Sequence, residues 1–157
     1  MTIEMKDASL ALEGKGLFHN LSFVVNGGEM LCVMGESGCG KTTLLQCILG
    51  FQPLDEGAVS IGGTELTALS AEYMRSMMAY IPQEVSLPCN TVAELVGLPY
   101  QLRVNRNKRF SKEALMEEWQ RLRLDETLYT KRLADVSGGE RQRIMLSMAG
   151  LLDKKML

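Results

Sequence analysis

The chain has 157 residues, enough for one domain with an apolar core of useful size. It is 46% hydrophobic and 23% charged, and its 17 basic and 19 acidic residues leave a net charge of −2, so no strong field points to nucleic acid as a partner. Its apolar runs, such as residues 30–34, are far shorter than the ~20 residues that a bilayer span takes, and no secretion signal is expected from Met1-Thr2-Ile3-Glu4.

In chain order, Leu21, Phe23 and Val25 alternate at a strand's period of two, and residues 29–34 read as a second, more buried strand. Asn26-Gly27-Gly28 between them is a turn signal. A glycine-rich loop follows. A helix from about Lys41 is then expected to bury Leu44, Leu45, Ile48 and Leu49 and to stop at Gly50. Residues 58–61 read as a short strand closed by Gly62-Gly63, and residues 79–81 as another that runs into Pro82-Gln83. Met74, Met77 and Met78 are read as core filling. Thr91 and Glu94 have capping-box spacing and start a helix that Pro99 limits. Ser111 caps a second helix, with Leu115, Trp119 and Leu122 on one stripe. Residues 144–152 continue as helix, and Met156-Leu157 opens an apolar run.

Residues 84–143 thus read as a helical insertion, and 1–83 with 144–157 as pieces of an α/β core. Cys32, Cys39, Cys47 and Cys89 form no Cys-x-x-Cys pair, and the one histidine, His19, lies apart from them, so reduced thiols are expected and no structural zinc. Arg103, Arg106, Lys108 and Arg109 form a basic run, read as a solvated face or as contact with acidic lipid or a partner loop beside a membrane.

Gly35-Glu36-Ser37-Gly38-Cys39-Gly40-Lys41-Thr42 fits G-x-x-x-x-G-K-[ST] in full, and Thr43 follows it. Small residues let successive backbone N–H groups surround a polyphosphate, and the helix that starts there adds its positive end. Lys41 is placed to reach the β- and γ-phosphates, and Thr42 to ligate Mg²⁺. Val136-Ser137-Gly138-Gly139-Glu140-Arg141-Gln142-Arg143 is the second motif. By itself it reads as a capping box, Ser137 at the N-cap and Glu140 at the third helical position.

Together the two motifs resemble the ATP-binding cassette family, whose signature is Leu-Ser-Gly-Gly-Gln and close variants. The resemblance covers the whole chain and looks most like small bacterial transporter ATPases. It implies a P-loop NTPase core of ABC type with an N-terminal β-subdomain and an inserted α-helical subdomain, C-terminally incomplete here. It also implies ATP and Mg²⁺ as cofactors, with residues 35–43 around the phosphates. Gln83 falls where the family's Q-loop glutamine helps hold Mg²⁺ and position the attacking water. Ser137, Gly138 and Gly139 would act on the ATP of the other subunit in a head-to-tail dimer, and the helical subdomain would dock on a membrane-spanning subunit at the cytoplasmic face. The function implied is ATP hydrolysis that drives transport. A soluble cassette acting on nucleic acid or the ribosome, or a nucleotide-binding fragment without turnover, are the alternatives.

Several positions depart from the family pattern. Members follow the signature helix with a buried strand and then Asp-Glu, with a switch histidine further on. Met156-Leu157 looks like the first half of that strand, so the chain reads as an incomplete cassette without turnover of its own. Leu10 stands at about the place of the aromatic that stacks on adenine, a loss of the order of 1 kcal/mol. Glu36 replaces a common proline and is expected to face solvent, and Met148 replaces a common arginine.

Overall fold

A hairpin opens the chain: β1 (Ile3–Leu12) and β2 (Lys15–Val25) pair antiparallel from Ile3↔Val25 to Leu12↔Lys15. The two residues between them, Glu13 and Gly14, have φ of 51° and 79°, the left-handed pair that matches a tight hairpin to the strands' twist. The computed structural model describes residues 1–82 and 88–157, so Gln83 lies outside the described residues. These fall into two compact units, Met1–Met77 and Met78–Leu157.

In the first unit, β3 (Glu56–Ile61) joins the free edge of β1, and β4 (Thr64–Glu65) turns back on it through Gly62-Gly63, giving the order β2-β1-β3-β4. Met5, Ala8, Leu10, Val59 and Ile61 form its buried face, each at most 3% exposed. The sequence pattern does not announce β1, because its register shifts between Met5 and Ala8 and again beyond. A bulge of this kind breaks the period-two alternation that marks a strand. Gly57 sits opposite this irregularity, and a Cβ there would run into the Lys6 and Asp7 carbonyl oxygens. Only glycine admits that approach.

Helix α1 (Lys41–Ile48) buries Leu44 and Cys47, and Leu49 caps it. Gly50, at φ 69°, ends it: its N–H donates to Cys47 O and the Phe51 N–H to Gln46 O, the paired bonds of a Schellman stop. The expected burial of Leu45 is corrected, since that side chain is 44% exposed. The inward stripe runs through positions 44 and 47, a helical step of three, and 45 falls outside it. Helix α2 (Ala71–Ser76) places Met74 and Met77 in the core. Its Arg75 donates to Leu49 O at 3.0 Å and lies over the Phe51 ring at 4.8 Å, fastening the end of α1.

Residues 29–34 do not form the expected strand. The Glu29 N–H donates to Asn26 O, and the Glu29 carboxylate accepts from the Asn26 N–H at 2.7 Å, closing the turn. Beyond it the chain runs exposed, with Met30 94% and Met34 86% accessible. An apolar run becomes a buried strand only when neighbours on its edges take its backbone groups, and no described residue pairs with this one. The strand expected at 79–81 is likewise reduced to one parallel bridge, Met78↔Met156, with the Ala79 N–H on Met156 O at 2.8 Å.

The second unit is helical. In α3 (Val92–Gly97), Thr91 Oγ1 accepts from the Glu94 N–H, and the Glu94 carboxylate reaches back to the Asn90 N–H. Short 3₁₀ turns, Leu98–Gln101 and Arg103–Asn105, follow at Pro99. Ser111 caps α4 (Lys112–Arg121) by accepting from the Ala114 N–H at 3.1 Å. Two further 3₁₀ turns, Glu126–Thr130 and Leu133–Asp135, lead to α5 (Gly138–Leu151). Val92, Leu95, Val96, Leu115, Trp119, Leu128 and Ile144 make the core, with Leu122 and Met148 packed against it. Each fully buried aliphatic side chain here is worth about 1.5–3 kcal/mol.

Candidate functional site

The loop of residues 35–40 enters α1 through Gly38 and Gly40, whose φ of 78° and 98° belong to the left-handed region. Gly40 is the residue from which the first turn of the helix starts. No side chain caps that turn, which leaves its leading N–H groups, without intrahelical partners, for an anion. A Cβ on Gly40 would meet Leu17 at 3.3 Å, so the turn is also packed from behind by β2.

Lys41 arches over the same loop. Its Nζ donates to Gly35 O at 2.8 Å and Glu36 O at 2.7 Å, and lies 3.7 Å from Cys39 Sγ. The ammonium is thereby held at the loop's mouth on carbonyl oxygens, ready to exchange them for stronger charge-assisted bonds to phosphate. Cys39 is exposed, and its sulfur lies 2.7 Å from where a Cβ on Gly35 would stand. Glu36, Ser37 and Thr42 are exposed and Thr43 is half-buried. The donor set, an ammonium, a helix start and a hydroxyl beside it, fits a magnesium polyphosphate. Leu10 does not fit the role of an adenine platform: it is 2% exposed, inside the sheet's core opposite Phe18.

The signature segment forms a closed capping box at the start of α5. Ser137 Oγ accepts from the Glu140 N–H at 3.3 Å, and the Glu140 carboxylate accepts from the Ser137 N–H at 2.9 Å and from its hydroxyl. That hydroxyl first, and the backbone N–H second, hold the Glu140 carboxyl below the usual carboxylate range. Gly138 and Gly139 are exposed, so the backbone at this helix start is open to solvent. Sequence reading did not single out Arg141, whose guanidinium donates to Leu133 O at 2.7 Å and ties the helix start to the preceding 3₁₀ turn. Its place four residues after Ser137, one turn along the same face, was the available signal.

The loop residues thus gather around Lys41 in the first unit, and Ser137 with Glu140 in the second. Three known proteins give the context. The chain is 30% identical over 155 residues to the spermidine/putrescine import ATP-binding protein PotA of Pasteurella multocida, covering 99% of this chain and 41% of that one. It is 31% identical over 130 residues to the probable iron export ATP-binding protein FetA of Escherichia coli, 83% of this chain and 56% of that one. A solved ATP-binding subunit of an ABC transporter superposes with a TM-score of 0.74 at 30% identity, over 98% of this chain and 63% of that one. The chain therefore spans between two fifths and two thirds of the length of these relatives, and shares the mixed helix and sheet fold of the ABC ATPases. The ABC transporter family model matches residues 18–157, and the chain belongs to that family.

Proposed function

We propose that this chain is the nucleotide-binding front part of an ATPase subunit that powers a membrane transporter. The observation that carries the reading is Lys41, held by two loop carbonyls at the mouth of an uncapped helix start. Residues 35–43 would surround the phosphates of ATP, with Lys41 on the β- and γ-phosphates. Thr42, exposed at the first turn of α1, would ligate Mg²⁺ together with Gln83. The metal supplies charge neutralisation of the transferring phosphoryl group.

The α5 start, with Ser137, Gly138 and Gly139, would close on the nucleotide of a second cassette in a head-to-tail dimer. Such closure is the kind of motion that a membrane subunit can be driven by. The dividing lines proposed for the complete cassette are residues 84–143 for the helical subdomain and 1–83 with 144–157 for the core. Placement is on the inner face of the plasma membrane through the partner subunit. No described helix is long and apolar enough to cross a membrane.

Calorimetry tests the nucleotide site directly. MgATP should bind the chain, and Lys41→Ala should lose most of that affinity while the far-UV spectrum stays unchanged. Equal affinity in the two proteins would remove the assignment.

A further inference from the structure

Residues 95–112, between Glu94 and Glu113, carry five basic side chains, Arg103, Arg106, Lys108, Arg109 and Lys112, and no acidic one. Arg103, Arg106, Lys108 and Arg109 enter no ion pair with a described residue. The segment that bears them is tied into a compact loop. At its ends, Tyr100 and Phe110 meet edge to face with ring centres 5.5 Å apart. In its middle, Asn105 is only 3% exposed: its Nδ2 donates to Pro99 O at 2.9 Å, and its Oδ1 accepts from Lys154 Nζ at 2.8 Å. The Asn105 and Lys108 N–H groups, donating to Leu102 O and Asn105 O, close the turns on either side.

With Asn105 turned inward, its neighbours turn outward. Leu102 is 53% and Val104 54% exposed, and Arg103, Arg106 and Arg109 are exposed beside them. A loop closed at its ends and packed on its own side chains is a recurrent carrier of function. Aliphatic tips flanked by arginines match one environment in particular, the boundary where anionic headgroups meet acyl chains.

We propose that the loop of residues 101–109 binds the surface of an anionic phospholipid bilayer, with Leu102 and Val104 entering the headgroup region and Arg103, Arg106 and Arg109 on lipid phosphates. An acidic protein segment would satisfy the arginines but gives no reason for two exposed aliphatic tips between them. The proposal goes beyond the nucleotide site and does not depend on it, because lipid binding is measured without nucleotide. Loss of ATP binding and loss of lipid binding are therefore separate results.

The test is flotation of the full chain with vesicles of phosphatidylcholine, with or without phosphatidylserine. The chain should float with the phosphatidylserine vesicles only. Binding should fall steeply as salt is raised, since exposed charges are screened within about 10 Å at 0.1 M. Each arginine at an anionic surface contributes roughly a fivefold gain in partitioning. The Arg103→Gln/Arg106→Gln/Arg109→Gln variant should therefore lose about a hundredfold, and Leu102→Ser/Val104→Ser should weaken binding with the charges intact. Fluorescence of the single, buried Trp119 checks that each variant is folded, and the salt titration of the unmodified chain needs no variant at all. Equal flotation with neutral vesicles, salt-independent binding, or an unchanged triple variant would overturn the proposal. So would retention on immobilised polyglutamate without flotation, which would assign the loop to an acidic protein partner.

Discussion

Trp119 in α4 donates its indole N–H to Ser147 Oγ in α5 across 3.0 Å of fully buried core, and the same hydroxyl donates onward to Ile144 O at 2.6 Å. The bond lets a side chain with a polar edge fill the centre of the helical unit without leaving that edge unpaired. Ser147→Ala keeps the packing nearly constant and strands the indole N–H. It should cost about 1–3 kcal/mol, read as a lower urea midpoint in Trp119 fluorescence. An unchanged midpoint would show that the indole finds another acceptor and that the bond is dispensable.

Cys39 offers a chemical probe of the phosphate loop. It is exposed, its sulfur fills the space over Gly35, and Lys41 Nζ stands 3.7 Å away. A group attached to that sulfur stands beside Lys41 Nζ and Gly35, where phosphate is expected to sit. Alkylation should therefore block nucleotide binding, and saturating MgATP should slow the labelling. The rate is followed by mass spectrometry of the intact chain. The same labelling rate with and without nucleotide would separate Cys39 from the bound phosphates.

The two motifs were legible in the sequence because each is local. A glycine-rich loop entering a helix, or Ser137 three residues before Glu140, fixes its geometry within a single turn. Gly50 as the stop of α1 and Ser111 as the cap of α4 were readable for the same reason. The misreadings came where long-range pairing decides. Residues 29–34 have the composition of a buried strand, but composition cannot supply the neighbours that would hold their backbone. Strand β1 is unannounced because its bulge near Asp7 scrambles the alternation, and the burial of Leu10 follows from that shifted register. Arg141 carries no such local signature, and only the fold reveals its carbonyl partner, Leu133 O.

Acid should loosen the start of α5. The Glu140 carboxyl is held below its ordinary value of 4.5, chiefly by the Ser137 hydroxyl and backbone N–H. A depressed carboxylate stabilises the fold fully above its unfolded value, and that contribution is lost as pH falls through the folded value. The capping box is therefore intact at neutral pH and given up progressively below about 4.5. Glu140→Gln removes this titration, so the variant's stability should depend less steeply on pH in that range. Denaturation midpoints measured across it provide the comparison, and parallel curves for both proteins would mean that Glu140 does not couple to folding.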